Sequence, residues 1–230
     1  MRLVYTKMAI GPNTSYLQPC GIDEAGRGPL AGPVTAAAVV LPTDFPVEQL
    51  NDSKKLSVRA RERLRSLLIT GGVPHGIAHA SHEEIDRLNI HHATLLAMTR
   101  AWEALRTAYP AATPQTVIVD GKFCPDVPLT CYAIVDGDAT EPAIMAASIL
   151  AKTERDRIMT EYHRRWPQYG FDRNMGYPTA AHRAAIRIHG PAPIHRRSFK
   201  GVVVAGDPGG GAAPDRPGDA DDDAPVANAL

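Results

Sequence analysis

Gly21-Ile-Asp-Glu-Ala-Gly-Arg-Gly-Pro-Leu-Ala-Gly-Pro33 sets two adjacent carboxylates, Asp23 and Glu24, directly before an arginine flanked by glycines. Cys20 to Ile22 is short and apolar, as the end of a buried strand would be, and the glycines and prolines behind it force the chain to turn. Acid and base therefore meet at one strand end. Two unit charges about 4 Å apart repel by roughly 4 kcal/mol at an effective dielectric near 20, so such a pair must gain protons, cations or a divalent metal. Oxygen-only ligands select a hard ion such as magnesium or manganese.

Working outward, Val34 to Leu41 is an apolar run bounded by Pro33 and Pro42, which predicts a strand buried on both faces. Ser57 predicts the cap of a helix striped by Leu64, Leu67 and Leu68 and closed at Gly71-Gly72. Gly76 to Ala80 has room for one short strand. Ser81-His-Glu-Glu84 has capping-box spacing, and apolar residues from Ile85 to Leu105 recur at helical intervals, as one helix or as two with a break near Asn89. Thr116 to Asp120 and Cys131 to Val135 read as strands, the first ending in Asp120-Gly121 and the second in Asp136-Gly-Asp138. Helical patterns follow over Glu141 to Trp166 and Thr179 to Ile188. Strands first and helices later predict an α/β domain whose strand ends supply the site, with a helical C-terminal part.

The chain has 230 residues and is 44% hydrophobic, enough for one sizeable core with appendages. We divide it into an N-terminal extension (1–17), a catalytic domain with its C-terminal helical region (18–204) and a disordered acidic tail (205–230). The tail holds six aspartates and one arginine, a net of −5, so the remainder carries +5. Between Lys152 and Lys200, eleven lysines and arginines face four acids, which points to a polyanionic partner. The contrast in charge raises the hypothesis that the tail weakly autoinhibits binding. Cys20, Cys124 and Cys131 are odd in number and lack paired metal spacing, so neither a disulfide framework nor a zinc ribbon is expected. With no signal-peptide core and no membrane-length apolar run, a soluble cytoplasmic protein is expected, and it is taken to be a monomer.

Asp23 with Glu24, then Asp120, then Asp138 all fall at predicted strand ends. Were they to converge, their natural chemistry would be two-metal phosphoryl transfer, with ions about 3.5 to 4 Å apart. Aspartate before glycine is also an ordinary turn residue, which accounts for Asp120 alone equally well.

Seven segments in order resemble the ribonuclease H type 2 family, specifically bacterial ribonuclease HII. They are Asp23 to Pro33, Asp52-Ser-Lys-Lys-Leu56, Glu84-Ile-Asp-Arg-Leu-Asn-Ile90, Val119-Asp-Gly121, Ala146-Ala-Ser-Ile-Leu-Ala-Lys152, Gly176-Tyr177 and His195-Arg-Arg-Ser-Phe199. The resemblance spans about residues 18 to 202. It implies a ribonuclease H-like mixed sheet flanked by helices, and an endonuclease using Mg2+ or Mn2+. It also implies hydrolysis of RNA in RNA·DNA hybrids and incision 5′ to single ribonucleotides in duplex DNA, leaving 3′-hydroxyl and 5′-phosphate ends.

Carried over by position, Asp23, Glu24, Asp120 and Asp138 resemble the metal-binding carboxylates, with Asp136 a competitor for the last. The Gly-Asp ahead of the Ala-Ala-Ser-Ile helix favours Asp138 and leaves Asp136 facing solvent. Gly26-Arg27-Gly28 resembles the family's reader of the 2′-hydroxyl, the group that distinguishes RNA from DNA. Tyr177 resembles its junction-sensing tyrosine. Lys54, Lys55, Ser148 and Lys152 also match; Lys54 and Lys55 are either a solvated pair or phosphate contacts, and Ser148 and Lys152 share one helix face. Arg155 and Asp156 read more simply as a helix-surface ion pair. His91-His92 departs from the family and reads as packing or surface, since consecutive helical residues do not face one ligand. His195, Arg196 and Arg197 read as structural or backbone-contacting. Two rival functions are a type 1 ribonuclease H or integrase-like nuclease, and a non-catalytic nucleic-acid-binding module.

Overall fold

The strand Val34–Val40 (β2) lies inside the sheet, and every one of its seven residues is buried. In the computed structural model, which describes residues 19–50 and 57–202, it pairs antiparallel with Cys20–Ala25 (β1) on one side and His75–Ala80 (β3) on the other. Thr116–Asp120 (β4) lies parallel to β1, and Thr130–Ile134 (β5) parallel to β4, giving the sheet order β3-β2-β1-β4-β5. An antiparallel meander can return through tight turns, whereas the parallel pairs need longer crossovers: a helix leads from β3 to β4, and the helix-free loop 121–129 leads from β4 to β5.

One face of the sheet is covered by His82–Ala108 (α2) through Met98, Trp102 and Leu105. The capping box expected at Ser81 and Glu84 is present in both directions. The break expected near Asn89 is also there: Asn89 has φ 67°, and its Oδ1 accepts the His92 amide as a fresh cap. The other face is covered by Val58–Thr70 (α1), capped by Ser57, and by Pro142–Arg165 (α4). The first half of α4 is small and apolar on nearly every side and lies flat on β1 and β2. A Cβ on Gly21 would collide with the Ala143 backbone, so glycine is what allows this approach.

A third apolar cluster belongs to the C-terminal part, where Phe171–Asn174 (α5) and Ala180–His189 (α6) enclose Tyr169, Phe171 and Ile186. Gly137–Thr140 (α3) is a single turn before α4. Among the described residues no helix is long and apolar enough to cross a membrane. The N-terminal extension, Lys54, Lys55 and the acidic tail lie outside the described residues.

Three expectations need correction. β1 continues to Ala25 because its pairing with β2 runs through Asp23, Glu24 and Ala25, so the two acids sit within the strand rather than past its end. Asp138 does not end a strand: β5 stops at Ile134, Asp136 turns the chain with φ 56°, and Asp138 lies in α3. Finally, Cys124 and Cys131 form a disulfide across a Cα separation of 6.0 Å, leaving only Cys20 as a free thiol. Their seven-residue spacing is no signature by itself; the loop leaving β4 folds back alongside β5 and brings them together.

Candidate active site

Strand alternation turns Gly21, Asp23 and Ala25 towards α4, where the hydroxyl of Ser148 hydrogen-bonds Asp23. Asp23 is only 4% exposed, and its Oδ1 accepts the Glu24 amide at 2.7 Å. Glu24 is bound instead by Arg27, Nη1 to Oε1 at 3.4 Å. The parallel pairing of β1 with β4 brings Asp120, the last residue of β4, beside both. Asp120 in turn accepts the Asp138 amide at 3.2 Å, which ties the start of α3 to the strand end. Asp138 is 7% exposed and Asp136 faces solvent.

Burial raises the Asp23 carboxyl well above the usual carboxylate range, and the charges of Glu24 and Asp120 push it further. Glu24 is raised too, chiefly by burial, with Asp120 adding to the effect and Arg27 opposing it. Buried acids that resist ionising beside one another are a strong donor set for a hard cation, because a divalent ion relieves both burial and repulsion. Among the described residues no three potential ligands are already drawn together at chelating distance. The acids therefore fit a metal by charge and donor type.

In front of this cluster opens a cleft of about 460 Å³. Glu24, Gly26, Arg27, Gly28, Ser148, Lys152 and Tyr177 line it, with the Tyr177 ring beside Gly28. Lys152 is held by Asp156 at 2.8 Å, so Asp156 pairs with Lys152, one turn away, and not with Arg155. Gly26 needs its glycine, since it has φ 98° and a Cβ there would lie 2.7 Å from Arg155 Nε. Gly28 does not: a Cβ would meet only the Tyr177 ring, at an ordinary 3.5 Å. Internal packing leaves Gly28 unexplained, whereas room for a ligand against the cleft wall explains it. Tyr177 is 44% exposed, its ring forming wall rather than core.

The Ribonuclease HII family model matches residues 20–202. The chain belongs to the ribonuclease HII family. It is 54% identical to the ribonuclease HII of Dechloromonas aromatica (strain RCB) over 184 residues, 80% of this chain and 91% of that one. Against the ribonuclease HII of Azoarcus sp. (strain BH72) it is 54% identical over 180 residues, 78% of this chain and 86% of that one. Among solved structures, ribonuclease H2 from Pyrococcus horikoshii OT3 superposes with a TM-score of 0.67 at 25% identity, covering 80% of this chain and 95% of that one. Membership makes the chain an endoribonuclease of ribonuclease H type 2, which sets aside the type 1 and non-catalytic readings.

For this family member, sequence reasoning missed what holds the cleft together. Arg155 is no surface residue: it is 2% exposed and donates from Nε to Pro33 O at 2.8 Å and from Nη2 to Ala31 O at 2.7 Å. Arg196 is wholly buried behind the same loop. Burial, with the neighbouring Arg155 charge, pushes Arg196 down to about 9, and burial pushes Arg155 to about 10; both stay protonated at neutral pH. A signal was available, because a turn rich in glycine and proline carries carbonyls that need donors from elsewhere, and Pro29 and Pro33 supply none. Arg61 of α1 also lines the cleft, and its buried Nε has no hydrogen-bond partner among the described residues, which the leucine stripe of α1 gave no reason to expect. His91 packs edge-on against Phe123 and His92 is held by the capping Asn89 side chain, and neither lines the cleft.

Proposed function

We propose that this endoribonuclease hydrolyses RNA in RNA·DNA hybrids and incises duplex DNA on the 5′ side of a single embedded ribonucleotide, leaving 3′-hydroxyl and 5′-phosphate ends. The observation that carries the finer claim is the cleft itself. Gly26, Arg27, Gly28 and Tyr177 share it with Glu24, so a ribose held against the glycines would set its neighbouring phosphate beside the acids.

Asp23, Glu24, Asp120 and Asp138 would hold Mg2+ or Mn2+, which when bound supplies an activated water and charge stabilisation at the leaving oxygen. The chain's own residues do the rest. Ser148 orients Asp23 through its hydroxyl, and Arg27 holds Glu24 while remaining half exposed to meet a phosphate. Lys152 adds a second cation to the cleft. Tyr177 offers an aromatic face on which a sugar or base can rest, a common device in nucleic-acid binding. Lys54 remains assigned to phosphate contact on its family match.

The test is a denaturing gel of a DNA duplex with one ribonucleotide, run with Mg2+, with Mn2+ and with chelator. One cut on the 5′ side, only with metal, is expected. Asp23→Asn and Asp120→Asn should lower the rate by at least about 100-fold while hybrid binding persists. Full activity in either variant overturns the assignment of the acids, and cutting of long hybrids alone overturns the single-ribonucleotide claim.

A further inference from the structure

Arg196 is 0% exposed, yet it makes no ion pair among the described residues. Its guanidinium serves backbone carbonyls instead. Nη2 donates to Gly26 O at 2.6 Å and to Pro33 O at 3.2 Å, Nη1 to Arg27 O at 2.7 Å, and Nε to Gly32 O at 2.9 Å. The Asp86 charge favours the protonated guanidinium, but no carboxylate contacts it among the described residues, and a guanidinium taken out of water without an ion pair is costly. The turn's carbonyls need donors, and the choice of a cation for the Gly26 and Arg27 carbonyls has a consequence on the other side of the loop.

That consequence follows from the peptide planes. The Gly26 carbonyl and the Arg27 amide belong to one trans peptide group, and the Arg27 carbonyl and Gly28 amide to the next. In a trans peptide the N–H points opposite to the C=O, so both amides face away from Arg196. A cation on each carbonyl oxygen draws electron density through the amide and makes the opposite N–H a stronger donor. Neither amide has an acceptor among the described residues, and both residues line the cleft.

We propose that Arg196 is a positioning residue for ribonucleotide recognition: by clamping the Gly26 and Arg27 carbonyls it presents the Arg27 and Gly28 amides, strengthened as donors, to the 2′-hydroxyl oxygen of the nucleotide in the cleft. This rests on Gly26-Arg27-Gly28 being the ribonucleotide reader. The same segment also reaches Tyr177. Arg196 N–H donates to Leu30 O at 2.8 Å, and Leu30 N–H donates to Gly176 O at 2.8 Å, one residue before the tyrosine. His195 stands with its Nε2 3.0 Å from that of His182, whose Nδ1 lies 2.9 Å from Tyr177 O. Both sides of the reader are thus fixed by residues 195 and 196.

The test uses fluorescence anisotropy in chelator, with the full chain and two duplexes that differ only in a 2′-hydroxyl at one position. The wild type should bind the ribonucleotide duplex more tightly than the all-DNA duplex. In Arg196→Gln that ratio should fall about tenfold, equal to one hydrogen bond of about 1.4 kcal/mol. Arg196→Lys keeps the charge but not the fork, so a smaller fall is expected. An unchanged ratio in either folded variant, an equal loss on both duplexes, or failure of both variants to fold would reduce Arg196 to scaffold and overturn the proposal. A wild type that does not discriminate sinks the reading of Gly26-Arg27-Gly28, and this proposal with it.

Discussion

Asp23 shares a buried neighbourhood with Glu24 and Asp120, so ionising it costs the fold stability that a bound cation would return. The folded carboxyl keeps its proton to higher pH than the unfolded chain does. Stability of the metal-free protein therefore falls as pH rises from the ordinary carboxylate value through the raised one. Asp23→Asn removes that burden: at pH 7 in chelator its Tm should rise by about 2–4 °C for each kcal/mol relieved, and the Tm increase that Mg2+ gives the wild type should shrink. Differential scanning calorimetry checks both, and a lower Tm in chelator would contradict the electrostatic account. Gly28 behaves differently. Since a Cβ there meets only the Tyr177 ring at 3.5 Å, Gly28→Ala should keep stability within about 0.5 kcal/mol. Its kcat/KM on a single-ribonucleotide duplex should nevertheless fall by about tenfold or more if the proposed seat of the ribose is correct, because the methyl group would occupy it.

At the scale of elements, α2 is anchored by one side chain. Glu84 completes the capping box through the Ser81 amide and takes Arg100 in a two-pronged ion pair at 2.7 and 2.9 Å, which holds its carboxyl down to about 2. Its stabilisation is present above the ordinary 4.5 and is lost as pH falls from there towards 2. Glu84→Ala should cost about 1–3 kcal/mol in urea unfolding at pH 7, and less at pH 3. Such local signals were legible in the sequence: the Ser81 to Glu84 spacing, the Asn89 break, the Ser57 cap and the fully buried β2 all follow from short-range chemistry. What lay beyond reach is nonlocal. That β4 runs beside β1, and so sets Asp120 against Asp23, depends on crossovers that no periodicity records. Asp138 was misplaced because the left-handed turn at Asp136 interrupts a pattern that otherwise reads as strand. Arg155 looked like any charged residue on a helix, since its partners are carbonyls 122 and 124 positions earlier.

Across the whole molecule the charge is divided, with +5 on residues 1–204 and −5 on residues 205–230. We expect deletion of residues 205–230 to tighten hybrid binding at low salt and to steepen its salt dependence, since more counterions are then released per complex. A titration between 50 and 200 mM salt measures this, and identical affinities at low salt would reject autoinhibition by the tail. The C-terminal part has another consequence, which concerns the order in which the protein is made. Arg196 reaches back 163 to 170 positions to the loop that begins at Gly26. At the ribosome, where chain emerges at about 5–20 residues per second, all five strands are available long before that arginine. A nascent chain can therefore bring its four acids together before the clamp on the Gly26 loop has emerged, so on the proposed roles cleavage would precede discrimination during synthesis.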